Sequence, residues 1–232
     1  MSGRSDPGGG LIMRNCIKAF AGAIGILAGA AAMAGEASLV PLASPASQAG
    51  QQTDACRASK AGSAGGAVRW SVVRAAGSGT GAIVAETSRE AVDPKYPVCL
   101  FDKFRAEDLE ISVDLTPREG EIDRAGGLIV RARNENDFYV VRSNALENNV
   151  RLYHSVKGQR RQFAGASHNL FSGRTHRLML RVIGDVFTVS VDGKKLFEGR
   201  DAAIPKAGAI GLWSKADSVT EFSNLSVTVL KE

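Results

Sequence analysis

What the sequence lacks narrows its class before any motif is read. It has no block or one-sided stripe of positive charge: the formal net charge is +5, and two of those five charges fall within residues 1–34, where Arg4, Arg14 and Lys18 outnumber Asp6. The remaining basic and acidic residues are interspersed, which excludes the electrostatic footprint of a phosphate-backbone binder, so no nucleic-acid partner is expected. Nucleophile elbow, phosphate loop and dinucleotide fingerprint are all missing, and no cofactor is expected. Histidine occurs three times, at His154, His168 and His176, without metal-ligand spacing. Asp185, Asp192 and Asp201 would be the calcium candidates, but each falls in or beside a turn, where aspartate is favoured for its own backbone hydrogen bonding; no metal site is predicted. With 44% hydrophobic and 23% charged residues the chain is neither a disordered nor a multi-spanning membrane sequence.

The N-terminal region has a recognisable order. Arg14 and Lys18 precede a run of small apolar residues from Ala19 to Ala31, which ends at Ala32-Met33-Ala34. Charged region, apolar region and A-x-A site in that order predict a signal peptide over residues 1–34, cleaved after Ala34, with Met13 as an alternative start. The alternative of a membrane anchor is poorly served by an Ala/Gly run this short and weakly apolar against a bilayer core of about 30 Å. The expectation is a periplasmic or secreted protein with no membrane span after cleavage.

Cysteine is scarce, with three in all. Cys16 leaves with the signal, so Cys56 and Cys99 are the thiols of the mature chain, in a compartment where disulfides persist. Two states stay open for them: one bridge, the favoured one, which would close the N-terminal stretch onto the strand near Tyr96, or two unpaired thiols.

Residues 35–66 are rich in Ala, Ser, Gly, Gln and Pro and have no period, which predicts a flexible lead-in. A single domain over 67–232 follows, in which alternation with a period of two takes over. Leu109, Ile111, Val113 and Leu115 alternate with Glu110, Ser112 and Asp114, a strand with one dry and one wet face. A dozen further short runs from Val68 to Val229 share this character, joined by turns with their own chemistry. Asp192-Gly193, Gly184-Asp185 and Lys157-Gly158 each separate two alternating runs, as in two-residue hairpins. Short strands at spacings near ten residues predict an all-β sandwich or barrel.

Several stretches resemble one family. Ala125-Gly126-Gly127-Leu128-Ile129-Val130-Arg131, the run from Asn134 to Tyr153, His176-Arg177-Leu178, the Val189–Lys194 hairpin and Gly208-Ala209-Ile210-Gly211-Leu212-Trp213 are similar to the 3-keto-disaccharide hydrolase-like domains. The likeness spans about residues 68–229 and departs from the family at Thr175, where tryptophan is usual. It implies a concanavalin A-like jelly roll of two antiparallel sheets packed face to face, one of which often holds sugar. That architecture carries lectins, glycosidases and interaction modules alike. The family-16 glycosidases of this fold use a Glu-x-Asp-x-x-Glu strand; Glu121-Ile122-Asp123 begins it, but position 126 is Gly126, and a retaining pair needs carboxyl groups about 5–5.5 Å apart.

A polar sheet face is the better candidate. If Leu128, Val130 and Ala132 point inward, Arg131 and Arg133 point away, and the same alternation exposes Arg151 and Tyr153 beside inward Val150 and Leu152. Sugar recognition needs flat rings for the apolar pyranose face and forked polar groups for hydroxyls or carboxylates. Arg131, Arg142, Asn144, Asn148, Arg151, Tyr153 and Trp213 supply both, and the expected partner is an oligosaccharide or other glycan, acidic ones included. If the chain is an enzyme, it is a glycoside hydrolase with Glu147 as acid/base. A structural or adhesive role on the cell envelope is the third expectation.

Overall fold

The computed structural model describes residues 33–62, 65–77 and 81–231. The predicted signal peptide lies outside the described residues as far as residue 32. The strands, in chain order, are β1 (Met33–Ala34), β2 (Ser38–Leu39), β3 (Arg57–Ala61), β4 (Trp70–Arg74), β5 (Ile83–Glu86), β6 (Tyr96–Ala106), β7 (Leu109–Glu119) and β8 (Ala125–Asn134). They continue with β9 (Asp137–Asn144), β10 (Asn149–Val156), β11 (Gln159–Ser167), β12 (His176–Ile183), β13 (Val186–Val191), β14 (Lys194–Arg200), β15 (Gly208–Ser214) and β16 (Val219–Lys231). No helix occurs among the described residues, and none is long and apolar enough to cross a membrane.

Two antiparallel sheets form the sandwich. One runs β14-β13-β12-β7-β16-β5-β4 with β1 and β2 also paired to β16, and the other runs β11-β10-β9-β8-β15-β6-β3. The strand pattern predicts a sandwich or barrel and the family resemblance a jelly roll of two antiparallel sheets, and the structure is that sandwich. The hairpin turns have the backbone their residues suggest: Lys157 and Gly158 (φ 52° and 75°) and Asp192 and Gly193 (φ 50° and 77°) are left-handed at both central positions.

The strands β6, β8, β9 and β15 of the seven-stranded sheet are dry on both faces over most of their length. Cys99, Phe101, Leu128, Val130, Tyr139, Val141, Leu152, Ile210 and Leu212 turn toward the other sheet and join the main core with Ile111, Val113, Leu180 and Phe222. Their neighbours Val98, Leu100, Ile129, Val140, Ala209 and Trp213 point the opposite way, yet form a second buried cluster with Ala61, Phe138 and Tyr153. That outward face is covered because the sheet edge meets the hairpin tips. Gly62, just past β3, donates its N–H to Asn136 Oδ1 in the β8–β9 turn at 2.8 Å, and Arg57 reaches Glu135 in the same turn at 3.4 Å. Gly158, at the β10–β11 turn, is packed so closely on Gly62 that an added Cβ would meet its Cα at 3.3 Å.

The stretch expected to be a flexible lead-in is instead part of the domain. Val40 and Leu42 are buried in the main core, β2 pairs with β16 through Leu39 and Ser226, and β3 pairs with β6 over five positions from Arg57 with Leu100 to Ala61 with Tyr96. Sparse apolar anchors suffice here because each enters a core already formed by other strands, so no period is required. Cys56 is bonded to Cys99 with a Cα–Cα distance of 5.4 Å, which fastens the start of β3 to β6.

Candidate functional site

Register across the seven-stranded sheet decides which side chains share its outward face. Arg151 lies opposite Arg142, Arg142 opposite Gly127, and Gly127 opposite Trp213, giving one row across four strands. Tyr153 stands in the adjoining row, between Gln162 on β11 and Val140 on β9. Gly127 has no side chain, and even a Cβ there would sit 2.3 Å from Val141 O.

The polar end of this face is organised by Arg142, which is 5% exposed. Its guanidinium donates to Glu147 Oε2 at 2.7 Å, to Asn149 Oδ1 at 3.0 Å and to the Tyr153 hydroxyl at 3.4 Å. Asn149 in turn donates to Glu147 Oε2 at 3.0 Å. Burial pushes the Glu147 carboxyl up, but the bonds from Arg142 and Asn149 outweigh it and hold the group below its usual range. An acid catalyst needs the opposite shift. Glu147 is therefore an anchor for the Arg142 fork. Its neighbour Lys215 is raised: burial opposes its charge, and Asp123 and Asp93 outweigh that.

Next to this end is an aromatic box around an arginine. Tyr96 stacks on Trp213 with centroids 5.7 Å apart, and the Arg160 guanidinium lies 4.4 Å from the Tyr96 centroid, 4.3 Å from Tyr153 and 5.5 Å from Trp213. Arg142 approaches the same Tyr153 ring at 5.9 Å. Arg160 was not among the predicted site residues. A signal for it existed: a two-residue loop at Lys157-Gly158 pairs Ser155 with Arg160, which places Arg160 on the face of Tyr153.

Donors on this face outnumber acceptors. Trp213 Nε1, Arg142 Nε and Arg160 Nη1 are buried without a hydrogen-bond partner among the described residues. Each such donor costs about 1–3 kcal/mol while unmet. Among the described residues neither Arg151 nor Arg160 has a carboxylate in ion-pair range; Arg151 reaches only Gln162 Oε1, at 3.4 Å.

The remaining predicted residues separate from this group. Arg131 does not point outward: its φ of 51° falls where the β8 register slips between Val130 and Asn134, so simple alternation fails there. It is 1% exposed and donates to Glu107 O at 2.8 Å, Gly184 O at 2.7 Å, Ile204 O at 3.2 Å and Asp108 Oδ1 at 3.1 Å. Arg131 is a buried clamp whose guanidinium is committed to four protein acceptors. Asn144 is buried as well; its Oδ1 accepts the Leu146 N–H at 2.9 Å and its amide donates to Asp123, shaping the β9–β10 turn. Asn148 occupies a left-handed position (φ 48°) in that turn, and its carbonyl accepts the His168 N–H at 2.9 Å. Trp213 is on the right face but 0% exposed beneath Arg160 and Tyr96, so it supports the box instead of offering a free stacking surface. Asp123 is held by Lys215, and Asp217 accepts the backbone N–H groups of Glu121, Ile122 and Asp123. The Glu121–Asp123 segment is thus a pinned loop and not a catalytic strand.

His176 and His154 are also occupied. His176 Nδ1 lies 2.8 Å from Asp192 Oδ2, and its Nε2 accepts the Phe171 N–H at 3.1 Å, so both ring nitrogens are occupied. His154 Nδ1 meets Asp201 Oδ2 at 2.8 Å, and the Tyr139 hydroxyl donates to the same carboxylate at 2.8 Å. Among the described residues no group of three or more potential metal ligands converges. A groove of about 640 Å³ lies between Pro41–Pro45, Asp54–Arg57 and Leu100–Phe104.

This arrangement can be set beside solved structures. A galectin-like protein of unknown function from Bacillus subtilis superposes with a TM-score of 0.56 at 14% identity, over 84% of this chain and 96% of that one. The fold is of the galectin-like and concanavalin A-like kind. A Bacillus licheniformis beta-glucanase gives a TM-score of 0.53 at 11% identity over 85% of this chain and 99% of its own. A carbohydrate binding module from Bacillus subtilis gives 0.53 at 18% identity, over 61% and 84%. No protein-family model and no curated protein matches the sequence. At these identities the likeness concerns architecture alone.

Proposed function

We propose that this chain is an exported carbohydrate-binding protein whose ligand docks at the polar end of the outward face of the seven-stranded sheet, against Arg142, Arg151, Tyr153 and Arg160. The observation that carries this reading is the meeting of buried, unmet donors with aromatic rings on one face. Rings offer a surface for pyranose C–H groups, and forked donors suit ring hydroxyls. Similar architecture in a carbohydrate binding module and a beta-glucanase adds general support. Export rests on the Arg14–Ala34 pattern.

As the acid/base of a disaccharide hydrolase, the role implied by the sequence resemblance, Glu147 would have to deliver a proton, and the bonds from Arg142 and Asn149 favour its ionised form instead. Binding without turnover is therefore the stronger reading. A glycan array probed with the full chain at low salt tests it, followed by titration of each hit against Tyr153→Ala. Specific hits that weaken at least tenfold in a variant with unchanged far-ultraviolet circular dichroism are expected. An array without hits, or hits indifferent to Tyr153, would refute the proposal.

A further inference from the structure

We infer that the saccharide this face takes is an acidic one, and that Arg160 receives its carboxylate. The inference rests on the carbohydrate reading above and narrows its ligand class. Its basis is an imbalance of charge. Arg142 and Arg160 both lie against the Tyr153 ring, at 5.9 and 4.3 Å from its centroid, and Arg151 is the cross-strand neighbour of Arg142. Against these three guanidinium groups the face sets, among the described residues, one carboxylate, Glu147, already engaged by Arg142 and Asn149. The next cation, Lys215, is matched by Asp93 and Asp123.

Arg160 is the member of this set prepared for an anion. Three rings hold its guanidinium plane, so the fork loses little freedom when it pairs. Its Nη1 is buried without an acceptor, and so is Nε of the neighbouring Arg142. Two like charges sharing one ring repel each other, and an anion between them would reverse that term. A planar carboxylate matches a guanidinium in two-point geometry, which a neutral hydroxyl does not.

The test compares tetrasaccharides of galacturonate, of alginate and of unsulfated chondroitin with their carboxyl-reduced, neutral counterparts by calorimetry, adding a carrageenan tetrasaccharide as a sulfated probe without carboxylate. At least one acidic form is expected to bind tenfold or more tighter than its neutral counterpart at low salt, with the ratio shrinking as salt rises. Arg160→Gln should bring that ratio below about threefold, whereas Arg161→Gln, a charge-matched change on the exposed neighbour, should keep it. Equal binding of acidic and neutral forms would overturn the inference and leave the carbohydrate reading standing. Preference for carrageenan would overturn the carboxylate assignment, and a ratio that survives Arg160→Gln would remove Arg160 from the role. No binding by any saccharide would end both proposals.

Discussion

Arg142 donates to Glu147 at 2.7 Å, joining a guanidinium that is almost wholly buried to a carboxylate that is 43% exposed. The unequal burial predicts unequal consequences. Glu147→Gln keeps a hydrogen-bond acceptor and should cost about 1 kcal/mol in urea unfolding, because its partner retains Asn149 and solvent screens the lost charge. Arg142→Met should instead abolish binding of any glycan found for the native protein, a loss read directly by calorimetry.

Arg131 should behave as a part of the core. Replacing it with Met removes four donor contacts and leaves Asp108 without its ion-pair partner. The expected loss is about 3–5 kcal/mol, as for breaking other buried pairs. The variant's remaining folded fraction should bind ligand with native affinity, which separates a clamp from a contact residue.

The first forty-odd residues supply a second stability test. Leu42 is 5% exposed in the main core, so Leu42→Ala should cost about 2–4 kcal/mol in denaturant unfolding. A flexible segment would show no change. Reducing or deleting the Cys56–Cys99 bridge, which spans 43 residues, should cost about 3–4 kcal/mol on the chain-entropy account, seen as a lower unfolding midpoint with dithiothreitol.

Acid should unfold the protein through identifiable carboxylates. Burial raises the Asp217, Asp192 and Asp201 carboxyls, but backbone bonds at Asp217, the His176 and Arg177 bonds at Asp192, and the Ala203, Tyr139 and His154 bonds at Asp201 leave all three below the ordinary 3.8. A depressed folded-state value means that the unfolded chain binds the proton first. Their contribution is thus fully present above the unfolded value and is lost as pH falls through the folded ones. Urea midpoints should hold steady down to about pH 5 and drop below about pH 4. Asp217→Asn should be less stable at pH 6 by about 1–2 kcal/mol and show a shallower acid limb.

Much of this architecture was legible because alternation is a local signal. The strands from His176 to Ile183 and Val186 to Val191 have the bounds their patterns suggest, and the Asp192-Gly193 turn has the left-handed backbone its residues favour. Prediction failed where tertiary context overrides the local period. Arg131 sits at a register slip that alternation cannot see, and β3 is a polar five-residue strand defined by its partner β6 more than by its own pattern. The candidate site was legible in part: Arg142, Arg151 and Tyr153 share one face, although Tyr153 is buried there and not exposed as alternation suggests, while Asn144 and Asn148 serve the turn beside it. Arg160 escaped notice because its strand is polar on both sides, so only the hairpin register assigns it a neighbour.

One consequence of the strand order concerns how the molecule is made. Ser38 and Leu39 of the early strand β2 both pair with β16, near the far end of the described residues. Contact order is correspondingly high, and loop closure over nearly the whole chain must precede those pairings. A fragment that stops before β16 cannot complete the sheet, because β2, β5 and β7 all pair with that strand, so assembly waits for it. Were the chain exported as proposed, that delay would hold it unfolded until β16 had crossed the membrane.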